Sequence, residues 1–187
     1  GRTGRKFAVD HWGVVPDIIS LAKGLGSGLP IGAVVARRAL MQRWSRGAHG
    51  NTYGGNPVTC AAAIATLDLV EHEYAANAAA MGEHFMGRLR DLAARHDCIA
   101  EVRGRGLMIG MELVEDRRTM APARELVEAL TTRAFHNGLL LLSCGRSTIR
   151  FMPPLCVTRA EIDEAFAILS ASLDEALAET RPGAVPA

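Results

Sequence analysis

Lys23 stands where a short apolar segment gives way to glycine. Asp17-Ile18-Ile19-Ser20-Leu21 reads as a buried strand ending at Ala22-Lys23, and a glycine-rich turn runs from Gly24 to Pro30. An amine in that position has apolar residues behind it and pliable backbone ahead. Desolvation lowers the pKa of such an amine, and the neutral amine is the form that attacks an aldehyde. The ordinary alternative is a solvated surface lysine. A second candidate is the loop Gly50-Asn51-Thr52-Tyr53-Gly54-Gly55-Asn56. Its glycines free backbone N–H groups, Thr52 adds a hydroxyl, and a helix start follows, so the loop is able to cradle a phosphate. It is neither a P-loop nor GxGxxG, and a plain capping turn remains the other reading. The third is Arg150, in the middle of the apolar run Thr148-Ile149-Arg150-Phe151. A buried guanidinium requires an anion, either a substrate carboxylate held by its planar fork or an internal Asp or Glu. His11 and His49 have the chemistry of acid/base groups, but satisfied loop histidines are the commoner case and the reading taken here. The Gly104-Arg105-Gly106 turn reads as a tight connection, with Arg103 and Arg105 solvated.

These groups need elements to position them. Residues 1–12 read as loop, 17–21 and 31–36 as strands, and 37–44 as a short helix. Asn56 suits a helix cap and Pro57 a first helical turn. From there apolar spacing predicts one long helix, or two nearly collinear ones, over 57–95, interrupted at Glu71-His72-Glu73. Residues 99–103 and 107–114 read as an antiparallel pair, 122–137 as a helix stopped by Gly138, and 139–143 and 148–151 as strands. Ile162, Phe166, Leu169, Leu173 and Leu177 lie on one face of a last helix, and 181–187 is a frayed tail. The sum is a parallel-type α/β piece over 1–56, a connecting helix over 57–95, and a smaller α+β domain over 96–180. Two strands cannot cover a parallel sheet by themselves, and no Met opens the chain, so a missing N-terminal part is expected.

Composition narrows the classes. The 187 residues carry a formal net charge of +1, with 22% charged and 49% apolar residues interspersed. There is no basic stripe for nucleic acid, no polybasic membrane patch and no apolar run long enough to span a bilayer. Cys60, Cys98, Cys144 and Cys156 lack CxxC or Cys/His ligand spacing, so neither a disulfide framework nor a metal site is expected. Reduced thiols and the lack of a signal peptide point to the cytoplasm.

Taken together, the motifs resemble the class III (omega-type) aminotransferases of the fold-type-I pyridoxal-phosphate enzymes. Gly1-Arg2-Thr3-Gly4, Pro16 through Gly24, Gly28-Leu29-Pro30-Ile31-Gly32-Ala33, His49 through Pro57, Arg103 through Leu107 and Ile149 through Leu155 follow that family's order and approximate spacing. The resemblance covers nearly the whole chain and is nearest to 4-aminobutyrate and acetylornithine-type enzymes. It implies the C-terminal part of the large domain plus a small α+β C-terminal domain, with pyridoxal 5′-phosphate as cofactor. Lys23 would hold that cofactor as a Schiff base and move the substrate proton. Thr52 would bind the cofactor phosphate of the neighbouring subunit, which implies a homodimer with shared sites. Arg150 would grip a carboxylate of the amino donor or keto acceptor. The family's Asp for the pyridine nitrogen precedes the Gly-Arg-Thr-Gly segment and is not in this chain, so the chain alone should be a poor catalyst. The stretch from Cys144 to Arg150 is short for a 4-aminobutyrate enzyme, although Leu141-Leu142-Ser143-Cys144-Gly145 leans that way. Amino-acid racemisation or epimerisation on the same scaffold, and a non-catalytic remnant or dimerisation module, are the rival readings.

Overall fold

The computed structural model describes residues 1–180. A 3-10 turn over Ala8–Trp12 lies within the stretch expected as loop. Strands β1 (Ile18–Leu21) and β2 (Ala33–Ala36) pair antiparallel, from Ile18 opposite Ala36 to Leu21 opposite Ala33. This corrects the parallel-type expectation. The connection between them is a glycine-rich turn containing a 3-10 segment, Lys23–Gly26, whereas a parallel pair needs a long crossover, usually a helix. A single turn, α1 (Arg38–Met41), follows.

Asn56 caps α2 (Pro57–Leu69): its Oδ1 accepts from the Val58 N–H at 3.0 Å and the Thr59 N–H at 3.3 Å, with proline in the first turn. The expected interruption is a π-helical turn, Val70–Tyr74, after which α3 (Ala75–Ala93) continues. That turn buries Val70 while Glu71 on its outside pairs with Lys6. Ala78, Gly82, Phe85, Leu89 and Leu92 form the buried face of α3, at spacings of three and four.

The main sheet runs β3-β4-β7-β6, with β5 (Ala121–Pro122) on the end of β4. β3 (Ile99–Arg105) and β4 (Met108–Asp116) are the antiparallel pair anticipated around the Gly104–Gly106 turn. β6 (Leu142–Cys144) and β7 (Thr148–Phe151) complete it. Side chains alternate across the sheet with period two. Ile109, Met111, Leu113, Ile149 and Phe151 point inward to a core with α3, α4 (Arg124–His136) and α5 (Arg159–Glu179). Phe85 meets Phe151 edge to face, with ring centroids 5.0 Å apart. Gly138, at φ +91°, ends α4 as anticipated, and the Leu139 N–H bonds back to Ala134 O at 2.7 Å. That cap holds Leu139 to the helix, so β6 starts three residues later than expected. α5 opens with a capping box between Thr158 and Glu161. The tail expected over 181–187 lies outside the described residues.

Residues 1–4 pack where α3 meets the β3–β4 turn. The Leu107 N–H bonds to Arg2 O at 2.9 Å, and a Cβ added at Gly82 would lie 2.1 Å from Gly106 O. One added at Gly106, where φ is +53°, would lie 2.6 Å from the Thr3 carbonyl carbon. Three backbones meet here at distances that only glycine permits. The turn expected to be a plain connection is thus a packing junction.

Candidate active site

Lys23 follows β1 directly and takes a left-handed backbone, φ +53°, at the start of the 3-10 turn. For a residue with a Cβ that conformation costs on the order of 1–3 kcal/mol, and such strain collects at functional positions. Its side chain is exposed, which corrects the expectation of a desolvated amine. The reason is local: β1 belongs to a two-stranded sheet whose residues are only half covered, and the shallow cavity beside Lys23 is lined by Gly24, Gly28, Leu29, Pro30 and Ile31. Among the described residues no carboxylate pairs with Lys23 and no acceptor takes its protons.

Thr52 is also exposed, on the loop before α2. The loop uses several of its own amides: Gly54 donates to Asn51 O and Asn56 to Tyr53 O, both at 3.2 Å. Because Asn56 already takes two of the first free N–H groups of α2, the helix terminus is closed to a phosphate. The capping alternative therefore describes Asn56. What the loop still offers is the Thr52 hydroxyl, which has no partner among the described residues, and neighbouring free amides.

Arg150 lies on the outer face of β7, opposite Gly110 of β4 and Leu142 of β6. It is exposed rather than buried, because period-two alternation sends Ile149 and Phe151 inward and the residue between them outward. Burial thus does not force an anion on it. No internal Asp or Glu pairs with it among the described residues. It lines a cavity of about 460 Å³, otherwise mostly apolar, with Leu139, Leu141, Met152, Pro153, Pro154 and Glu161 among its walls. The Glu161 carboxylate is committed to the cap: the Thr158 backbone N–H (2.7 Å) and then its hydroxyl (2.8 Å) hold it below the usual carboxylate range.

The structure does not bring these three residues into one cavity. Lys23 and Thr52 sit on the first 56 residues, and Arg150 on the main sheet. Of the two histidines, His11 has a hydrogen-bond partner and His49 an aromatic one. His11 Nε2 lies 2.9 Å from Thr3 O, and His49 stacks at a tilt on Trp44 with centroids 5.2 Å apart. The arginines near the glycine turn are exposed as expected, but each has a partner. Arg105 lies over the Trp12 ring at 5.1 Å, and Arg103 Nη1 holds Glu112 at 2.6 Å and Glu101 at 2.7 Å. The hydrogen bond Arg103 donates to the Glu112 carboxylate is the main reason the Arg103 pKa is pushed up. Strand alternation put Glu101 and Arg103 on one face of β3, and Gly110 and Glu112 on one face of β4. That signal was in the sequence.

A pyridoxal phosphate needs a free amine with room around it and donors for its phosphate. Among the described residues Lys23 is unpaired, and a Cβ added at Gly24 or Gly28 would meet nothing within 4 Å, so the space beside the amine is open. With the Thr52 hydroxyl free, the residues present fit the group.

Residues 1–173 match the family described as "Aminotransferase class-III". The 5-aminovalerate aminotransferase of Pseudomonas aeruginosa is 41% identical over 178 residues, which cover 94% of this chain and 42% of that protein. The acetylornithine aminotransferase of Caldanaerobacter subterraneus is 44% identical over 183 residues, 97% of this chain and 43% of that one. An amine transaminase from an uncultivated Pseudomonas species, solved in its PLP-bound form, superposes with a TM-score of 0.86 at 36% identity, over 94% of this chain and 42% of that one. The chain thus spans roughly two fifths of the length of these relatives. Class-III aminotransferases work with pyridoxal 5′-phosphate. With the family matched along nearly all of its length and the same fold in a solved transaminase, this chain belongs to the class-III aminotransferases.

Proposed function

We propose that this protein moves an amino group from an amino donor to a keto acid such as 2-oxoglutarate, with Lys23 carrying the cofactor. The donor class is an omega-amino compound such as 4-aminobutyrate or an ornithine-like molecule. The observation that carries the reading is an unpaired lysine, strained into the left-handed region, in a chain of this family. The donor class draws on relatives named for 5-aminovalerate and acetylornithine. Bound pyridoxal phosphate supplies an aldehyde to receive the amino group and a ring to withdraw electrons. The chain's own residues do the rest. Lys23 Nζ would hold the cofactor covalently and, once a substrate amine displaced it, would take the proton from the donor's amine-bearing carbon and later deliver one to the carbonyl carbon of the keto acceptor. Thr52 Oγ1 donates to a phosphate oxygen, in the resemblance one belonging to a neighbouring subunit, which makes the working unit a homodimer with shared sites. Arg150 receives a carboxylate on its guanidinium fork and so sets the orientation of the substrate.

The same reading treats residues 1–56 as part of a cofactor-binding domain, 57–95 as the connecting helix and 96–180 as a small C-terminal domain. The 187 residues by themselves, which span about two fifths of the relatives' length, would not turn over. No helix among the described residues is long and apolar enough to cross a membrane. With four free cysteines, a cytoplasmic location is the one we propose.

The test is covalent. The complete gene product is incubated with pyridoxal phosphate, reduced with borohydride and digested. The pyridoxyl label is expected on Lys23, and Lys23→Ala is expected to lose both the absorption near the visible edge and, by orders of magnitude, the turnover. A label on another lysine, or turnover that survives in Lys23→Ala, sinks the assignment. Supplying one amino-acid enantiomer without keto acid separates the racemase reading, because only a racemase would scramble it. Arg150→Ala is expected to raise KM for the carboxylate substrate by about 30-fold or more, as truncating one partner of a charged pair does. An unchanged KM removes Arg150 from the site.

A further inference from the structure

Among the described residues Arg150 has no acidic partner, although a carboxylate stands diagonally across the strands from it. In the antiparallel pair β4–β7, Glu112 stands opposite Thr148 and Gly110 opposite Arg150, so Glu112 and Arg150 are diagonal neighbours on the outer face. Diagonal positions are separated by roughly 7–8 Å, a gap that long side chains bridge. A free Glu112 would close on the guanidinium. Glu112 is not free, because Arg103 on the far side of β4 holds its Oε2 at 2.6 Å. The same nitrogen holds Glu101 at 2.7 Å, and Arg103 Nη2 lies 3.5 Å from Thr148 Oγ1.

The register explains how one arginine reaches so far. Arg103, Gly110 and Arg150 lie in one row across β3, β4 and β7. The middle position has no side chain, and the Arg103 Cγ passes 4.0 Å from where a Cβ of residue 110 would stand. Arg103 thus leans along the row without meeting a wall. The charges then sort themselves. Two acids and two arginines share this part of the face, and one arginine takes both acids, so the uncompensated positive charge is left on Arg150. The other carboxylate beside Arg150, Glu161, is committed to the helix cap.

We infer that Arg103 is a positioning residue, which draws Glu112 toward β3 and so keeps the Arg150 fork open for a substrate carboxylate. The inference rests on the reading of Arg150 given above. It makes Glu112 a latent inhibitor of the site, released when Arg103 is lost.

The experiment measures the availability of Arg150 directly, then its use. The complete gene product is treated with phenylglyoxal, and modification of the Arg150 peptide is timed by mass spectrometry in wild type, Arg103→Met and Arg103→Met/Glu112→Gln. Arg103→Met is expected to slow labelling of Arg150 at least about 3-fold, since Glu112 then pairs with it, and the double variant restores the wild-type rate. In parallel, Arg103→Met is expected to raise KM for the keto acid about 10-fold with kcat within about 2-fold, again restored in the double variant. Recovery on adding a second substitution separates the effect from simple misfolding. Unchanged labelling of Arg150 in Arg103→Met, or slow labelling that persists once Glu112 is gone, overturns the inference. If labelling behaves as expected while KM stays flat in both Arg103→Met and Arg150→Ala, the pairing switch stands and the substrate role of Arg150 falls.

Discussion

Residues 1–56 and the five-stranded sheet with its helices contain similar apolar residues but treat them differently. In the first region Gly26 alone is buried, while Ile18, Val15 and Val35 are 60%, 91% and 52% exposed. In the second, Leu130, Ile149, Leu169 and Leu173 are wholly buried in a continuous core. A two-stranded ribbon has no second layer to pack against, whereas β3, β4 and β7 send side chains onto three helices and make one. Within these 187 residues, about two fifths of the relatives' length, stability and chemistry are therefore divided. The core lies under Arg150, and the lysine and threonine of the proposed cofactor site sit on the part with the least packing of its own.

Substitution tests that division. Gly82→Leu drives a side chain into the Gly106 backbone and is expected to cost more than about 4 kcal/mol, enough to abolish cooperative unfolding in a denaturant titration. Gly24→Ala, where nothing stands within 4 Å, should leave the midpoint within about 0.5 kcal/mol of wild type. Similar losses at the two glycines would break the comparison. Leu130→Ala is expected to lose about 2–5 kcal/mol by opening a cavity, against no more than about 0.5 kcal/mol for Val35→Ala on the exposed ribbon. A large loss at Val35 would mean that the ribbon is packed in solution. The mildest test is chemical. Burial pushes the Cys98 thiol up, so it ionises only above the ordinary thiol range, while Cys156 is exposed. At pH 8, iodoacetamide should alkylate Cys156 about 10 times faster than Cys98, with the gap narrowing as pH rises. Equal rates would show that this edge of the core is open.

Much of the fold was legible because its signals are local. Asn56-Pro57 announces a capped helix, Gly138 a helix end, and the Gly104–Gly106 turn between two apolar runs a hairpin. Each of these depends on a few neighbouring φ angles or hydrogen bonds. The direction of β1 against β2 was misread, although the shortness of the link between Leu21 and Ala33 argues for antiparallel pairing. The motif around Lys23 and the run holding Arg150 were legible as candidates. Their exposure was not, because apolar neighbours in sequence do not say which face of a strand looks inward.

By itself the sequence determined which chemical groups this chain carries, the elements that hold them and the family it belongs to. Those follow from residue type and short-range spacing. Only the tertiary structure decided that Arg103 takes Glu112 away from Arg150, and that three glycine-bearing segments meet at one junction. Both depend on the register between strands and on contacts between residues far apart in the chain. Such distances are set by packing the whole chain, and no local pattern encodes them.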